Sequence, residues 1–132
     1  MIFIDACIFI ALGNENDVHY ERAIQILKEI ESKKYGPPCT SDYVFNEIIG
    51  VTRRKKSKEE SISLGEHVRD STFIITTSNT LLESAWNFFK ESEHQFSLVD
   101  CTIIKTLEYG KIEFLATFDK EFLKLRTIKV VS

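Results

Sequence analysis

Two short apolar runs, each ending on an aspartate, constrain this chain more than any other feature. Met1-Ile2-Phe3-Ile4 carries no polar residue and stops at Asp5; Phe114-Leu115-Ala116-Thr117 reaches Asp119 after one turn residue. Continuous rather than alternating apolarity at this length marks a strand covered on both faces, the environment of a parallel sheet. Parallel strands need crossover connections, usually helical, and the intervening sequence supplies them. Ala6 to Leu12 is a brief helical segment that leads into the polar turn 13–17. Tyr20, Ala23, Ile24, Leu27 and Ile30 then recur at helical spacing to about Ser32. Gly36-Pro37-Pro38 breaks that pattern before a short extended piece at Cys39-Thr40.

Ser41 is placed to cap the next helix, whose apolar stripe is Val44, Phe45, Ile48 and Ile49. The run Arg53-Arg54-Lys55-Lys56-Ser57-Lys58 is expected to open a more polar helical stretch to about Arg69. Residues 72–76 are β-branched and aromatic and read as a strand. Asn79 to Glu91 is an amphipathic helix with Leu82, Trp86 and Phe89 on one side, and residues 97–109 form another, stopped by Gly110 just beyond its end. Residues 113–117 and 128–131 complete the strands around a turn at Phe118-Asp119-Lys120. The expectation is an α/β/α three-layer sandwich with a short, mainly parallel central sheet, in one domain spanning 1–132.

Composition narrows the function. With 17 Lys and Arg against 20 Asp and Glu, the formal net charge of -3 argues against a protein that coats DNA or a membrane by charge alone. Cys7, Cys39 and Cys101 are an odd, scattered set with no C-x-x-C, neither a disulfide framework nor a structural zinc site, and are expected as free thiols in a reducing cytoplasm. His19, His67 and His94 show no ligand spacing. The apolar stretch Ala6 to Leu12 is far shorter than the roughly 20 residues of a membrane span. It follows no basic segment, so a signal peptide is not expected either.

Ligands of open parallel sheets sit beyond the carboxyl ends of the strands, where Asp5 and Asp119 fall. Each alone is an ordinary turn aspartate. Asp100 is more unusual, because at about 100° per residue it projects within the arc of the core-facing Val99, Ile103, Ile104 and Leu107. A carboxylate there is costly unless paired or bound to a metal. Ser97-Leu98-Val99-Asp100 also fits a capping box, and the two roles are compatible. Glu47 projects roughly 130° from the centre of its own helix stripe and, taken by itself, reads as a surface residue. As a set, four carboxylates without basic partners repel, by about 4 kcal/mol for one pair at ~4 Å and an effective dielectric of ~20. A hard divalent cation such as Mg²⁺ or Mn²⁺ would relieve that repulsion and could serve phosphodiester hydrolysis. The cations Arg53, Arg54, Lys55, Lys56 and Lys58 could hold phosphates, although such runs are often merely solvated. Tyr43, Phe45 and Phe118 are expected mainly as core packing.

The quoted pieces, together with Thr40-Ser-Asp-Tyr-Val-Phe-Asn-Glu47-Ile, Phe96-Ser-Leu-Val-Asp100-Cys-Thr-Ile-Ile and Phe114-Leu-Ala-Thr-Phe-Asp119-Lys-Glu-Phe, resemble PIN-domain ribonucleases. The greatest similarity is to the VapC-type toxins of toxin–antitoxin pairs. The resemblance spans almost the whole chain in family order. It implies a Mg²⁺- or Mn²⁺-dependent endoribonuclease, commonly a homodimer, with Asp5, Glu47, Asp100 and Asp119 as site acids. Asp5 and Asp100 would be principal metal ligands, with Glu47 and Asp119 acting directly or through water. A VapB-like antitoxin is the implied protein partner and RNA the substrate. Two places after the first aspartate, where the family often has a hydroxyl or amide, this chain has Cys7; Thr117 is the small hydroxyl before the last acid.

Two other readings fit a similar outline. A phospho-acceptor receiver domain would carry an acidic pair after its first strand and an acceptor aspartate after a central one. Here Asp5 stands alone and strand 72–76 is followed by Thr77-Ser78-Asn79. A catalytically silent RNA- or protein-binding module on the same fold would not need all four acids. Apart from those four acids, 17 cationic residues face 16 acidic ones, so the net acidity is attributable to the candidate site.

Overall fold

The apolar opening run becomes β1 (Ile2–Ile4), the central strand of a five-stranded sheet, and all three of its residues are buried. The computed structural model describes all residues, 1–132. The other strands are β2 (Pro38–Ser41), β3 (Phe73–Ile75), β4 (Phe114–Ala116) and β5 (Lys129–Val131). Their order is β3-β2-β1-β4-β5, and every neighbouring pair is parallel. Phe3 sits in register with Cys39 on one side and Leu115 on the other. With neighbours beside it and helices above and below, β1 leaves no face for a polar residue.

Six helices make the crossovers: α1 (Ala6–Leu12), α2 (Tyr20–Glu31), α3 (Asp42–Lys55), α4 (Lys58–Ser71), α5 (Asn79–Glu91) and α6 (Leu98–Gly110). The chain steps outward through β1, β2 and β3, then returns past the centre to β4 and β5. Right-handed crossovers therefore place α1 to α4 on one face and α5 and α6 on the other. The packing agrees, since α1 contacts α2 and α3, α3 contacts α4, and α5 contacts α6. Four helices begin at a serine whose hydroxyl accepts a backbone N–H: Ser41 from Val44, Ser57 from Glu60, Ser78 from Leu81 and Ser97 from Asp100. Each such cap contributes about 1 kcal/mol. Gly36 has φ +80°, and a Cβ there would lie 3.2 Å from the Met1 backbone nitrogen. Only glycine suits this turn.

Several local expectations change. Arg53, Arg54 and Lys55 close the last turn of α3 rather than opening α4, where cations complement the carboxyl end of the helix dipole. In α5 the buried residues are Leu81 and Ala85, while Trp86 and Phe89 are 43% and 41% exposed. The helix has two overlapping apolar stripes, and the small Ala85 permits close approach on the buried one. Gly110 stays helical, and the left-handed residue is Lys111, with φ 50°. A Cβ on Gly110 would stand 3.1 Å from Ile112 Cδ1, so that glycine makes room for the returning chain. The turn after β4 continues as a 3-10 segment, Lys120–Lys124, anchored by the fully buried Phe122.

Candidate active site

The strand order reverses between β1 and β4, the position at which open parallel sheets bind ligands. Asp5 is the first residue beyond β1 and Thr117 the first beyond β4. Asp5 caps α1, its Oδ1 accepting the Ala6 N–H at 2.7 Å. Its Oδ2 accepts the Thr117 hydroxyl at 2.6 Å and lies 3.4 Å from the Cys7 thiol, which donates to it. Asp5 is only 8% exposed, yet it belongs to no ion pair. Burial raises its pKa above the ordinary carboxylate range; the bonds from Thr117, Ala6 and Cys7 pull it back, and the charge of Asp119 adds to the rise.

Cys7 bridges the two strand ends. Its sulfur accepts the Phe118 N–H at 3.2 Å and lies 3.5 Å from Thr117 Oγ1. Burial, and then the negative charge of Asp5, push the thiol up to about 12. It is therefore protonated at neutral pH, a weak donor to Asp5 and not a reactive thiolate.

Asp100 enters from the start of α6, fixed by a complete capping box. It accepts the Ser97 N–H at 2.9 Å and returns its own N–H to Ser97 Oγ at 3.1 Å. Burial raises its pKa, the Ser97 bonds oppose the rise, and the charges of Asp5 and Asp119 reinforce it. Glu47, in the second turn of α3, lies at the exposed rim. Its pKa is raised as well, by burial and then by Asp5 and Asp100. Its own helix places it at the surface, where the structure has it, and the acids that act on it come from the end of β1 and from α6. Asp119 is exposed and caps the 3-10 segment, accepting the Glu121 N–H at 2.9 Å while its own N–H donates to Thr117 Oγ1 at 3.1 Å.

The four acids thus share one electrostatic neighbourhood with no Lys or Arg paired to any of them. Their oxygens do not converge into a closed ligand shell; no group of three His, Cys, Asp or Glu side chains does. An all-oxygen, unneutralised donor set nonetheless suits a hard divalent cation.

The basic run lies roughly 10 Å farther along α3 from Glu47 at ~1.5 Å per residue. Arg53, Arg54 and Lys55 are exposed and outside the ion pairs, and so is Lys58 at the start of α4. Lys56 is already engaged, donating to the Gly13 carbonyl and pairing with Glu60 at 3.8 Å. Sequence patterning did not reveal the neighbourhood of Asp119. There the His19 ring stacks on Phe118 with centroids 4.2 Å apart and planes 11° from parallel. A loop histidine has no periodicity to betray it. A more open groove of about 510 Å³ lies between α2 and α4, and none of the four acids lines it.

A wholly parallel α/β sheet with acids gathered at its switch point defines a class of proteins that meet their ligands at the carboxyl ends of the strands. A family model, the PIN domain, matches residues 2–127, and the chain belongs to that family. The 23S rRNA-specific endonuclease VapC20 of Mycobacterium tuberculosis is 27% identical over 125 residues, covering 92% of each chain. The crystal structure of M. tuberculosis VapC20, described as a Sarcin-Ricin loop cleaving toxin, superimposes with a TM-score of 0.85 at 21% identity over 98% of both chains. VapBC2 of Rickettsia felis, bound to a DNA fragment from its promoter, gives 0.73 at 18% identity, over 99% of this chain and 98% of that one. A toxin–antitoxin complex from Klebsiella pneumoniae gives 0.72 at 19%, over 100% and 97%. No helix is long and apolar enough to cross a membrane.

Proposed function

We propose that this chain is a divalent-metal-dependent endoribonuclease, the VapC-type toxin of a toxin–antitoxin pair. The observation that carries the reading is that Asp5, buried where the strand order reverses and joined to Asp119 through the Thr117 hydroxyl, belongs to no ion pair, and neither do Glu47, Asp100 or Asp119. Asp5 and Asp100 would hold Mg²⁺ or Mn²⁺ directly, with Glu47 and Asp119 completing the site directly or through water. The chemistry a bound divalent ion supplies is activation of water and neutralisation of charge on the phosphate.

The remaining work belongs to the chain. Thr117 and Ala6 orient the two oxygens of Asp5, and Ser97 fixes Asp100. Thr117 also receives the Asp119 N–H, so one hydroxyl sets the spacing of two acids. The protonated Cys7 thiol takes the place of a hydroxyl in this bracket. Arg53, Arg54, Lys55 and Lys58 would hold the RNA backbone away from the acids. Relatives solved as toxin–antitoxin complexes support a VapB-like antitoxin as partner. The family resemblance supports a homodimer acting in the cytoplasm, and the rRNA-specific relative points to structured ribosomal RNA as a substrate to test first.

The test incubates the purified protein with total RNA and with a labelled sarcin–ricin hairpin, in Mn²⁺ or Mg²⁺, in EDTA, and as Asp100→Asn. Cleavage in metal that is abolished by EDTA and by the substitution is the expected result. Cleavage surviving both, or no cleavage of any RNA under any condition, overturns the reading.

A further inference from the structure

Beside the acids, on the β5 side, lies a second and smaller cavity of about 200 Å³. Drug-sized ligand pockets run from about 300 Å³ upward, so this one matches something the size of a single nucleobase. Its walls include Thr117, Phe118 and Asp119 from the loop that carries one site acid, with His19 and Arg22 from the start of α2 and Lys120 from the 3-10 segment. Any group held here would be immediate to the acids, because Thr117 is bonded to Asp5 and Asp119 is itself one of them.

The chemistry of the walls is specific. His19 and Phe118 form a near-parallel two-ring stack, with Phe118 half-buried beneath and His19 exposed above. Phe118 is anchored from below by its backbone, whose N–H donates to Cys7. The loop before His19 is set by a hydrogen bond from its own N–H to Asp17 Oδ1 at 2.8 Å. The platform is thus held at both ends, and its His19 side is exposed. Lys120 belongs to no ion pair. Arg22 is oriented by its Nε bond to the Ser132 carbonyl at 2.8 Å and a 3.5 Å contact to Glu29. An aromatic face flanked by cations is how single-stranded nucleic acid is gripped without sequence readout: bases stack, and cations track the backbone.

We infer that the His19–Phe118 platform, with Lys120 and Arg22 beside it, is a subsite for one unpaired nucleotide of the RNA next to the bond cleaved. The base stacks on His19, and its phosphate meets Lys120, while Arg22, held by Ser132 and Glu29, walls the far side. This rests on the ribonuclease reading for its ligand, but its test does not require cleavage.

The test uses the full chain as Asp100→Asn, so that RNA is not consumed. Single-stranded RNAs carrying an adenine analogue that dims on stacking are titrated and followed by anisotropy and by analogue fluorescence. Loss of the ring in His19→Ala is expected to weaken binding about tenfold and to abolish the dimming, from the usual strength of base–aromatic stacking. His19→Phe retains a ring and should stay within about twofold; Lys120→Gln should weaken binding while leaving the dimming intact. Binding and dimming that are the same in His19→Ala as in its parent, or absence of RNA binding altogether, overturn the subsite. A His19 effect on binding in a protein whose native form never cleaves RNA leaves the subsite standing and removes the catalytic reading. Cleavage together with an inert His19 does the reverse.

Discussion

The Thr117 hydroxyl donates to Asp5 Oδ2 at 2.6 Å, joining the ends of β4 and β1, which are 112 residues apart in sequence. The same oxygen accepts the Asp119 N–H at 3.1 Å. One fully buried side chain therefore holds two of the four acids in register. Thr117→Val keeps the shape and removes the hydroxyl. Asp5 then loses its strongest opposition to burial, so its pKa moves further up. Metal-supported RNA cleavage is expected to fall about tenfold and its acid limb to shift to higher pH, because Asp5 must ionise to act. Thr117→Ser should restore both. A pH–rate profile that Thr117→Val leaves unchanged would show the hydroxyl to be structural only.

Stability without metal should rise on mild acidification. Asp5, Glu47 and Asp100 bind protons more tightly in the folded chain than in the unfolded one, where carboxylates titrate near about 4. Above that value the folded state carries the excess protons, so stability falls as pH rises through the raised pKa values. Glu29, Glu113 and Glu121 are shifted down, chiefly by Tyr35, Lys129 and Lys124 respectively. Their contribution is lost only as pH falls through and below the ordinary carboxylate range. In EDTA the protein should melt higher just above the ordinary carboxylate range than at neutral pH. Asp5→Asn retains a capping oxygen and should raise the melting temperature at the higher pH by ~4 °C, for about 1 kcal/mol of relieved strain. Calorimetry showing the opposite slope, or a clearly destabilised Asp5→Asn, would mean the carboxylate is structural.

The basic residues divide into two groups by their contacts. Arg53→Glu with Arg54→Glu should weaken RNA binding and lower the slope of log affinity against log salt by about 2. Their side chains touch no acid, so the cost to stability is limited to the reversed charge at the carboxyl end of the α3 dipole. Lys56→Ala should lower stability without moving the salt slope, since Lys56 ties the end of α3 to the Gly13 carbonyl. Anisotropy at several salt concentrations, alongside thermal melts, separates the two. An unchanged salt slope in the double variant would place the RNA elsewhere.

The strands were legible because burial on both faces writes itself as unbroken apolar sequence, as at Ile2-Phe3-Ile4. The acids were legible because they stand where such runs stop. Asp100 declared itself twice, by its cap motif and by its place on an apolar stripe. Glu47 did not, since periodicity reports a residue only against its own helix, and its neighbours in space come from β1 and α6. The same limit shifted the α5 face, where two stripes compete and only packing selects Ala85 over Trp86. His19 was invisible for another reason. It lies in a loop, and its partner Phe118 is about 100 positions away. The clamp in which Asp42 accepts the Thr77 hydroxyl at 2.6 Å and its N–H at 3.1 Å was equally hidden.

The claim that these acids form a divalent-cation site is tested most directly by titrating Mn²⁺ into the metal-free protein and following the free-ion spin-resonance signal. The native chain is expected to remove Mn²⁺ from solution saturably, and the Asp5→Asn, Asp100→Asn double variant, still folded by circular dichroism, should not. Equal Mn²⁺ uptake by the native chain and the double variant would contradict it.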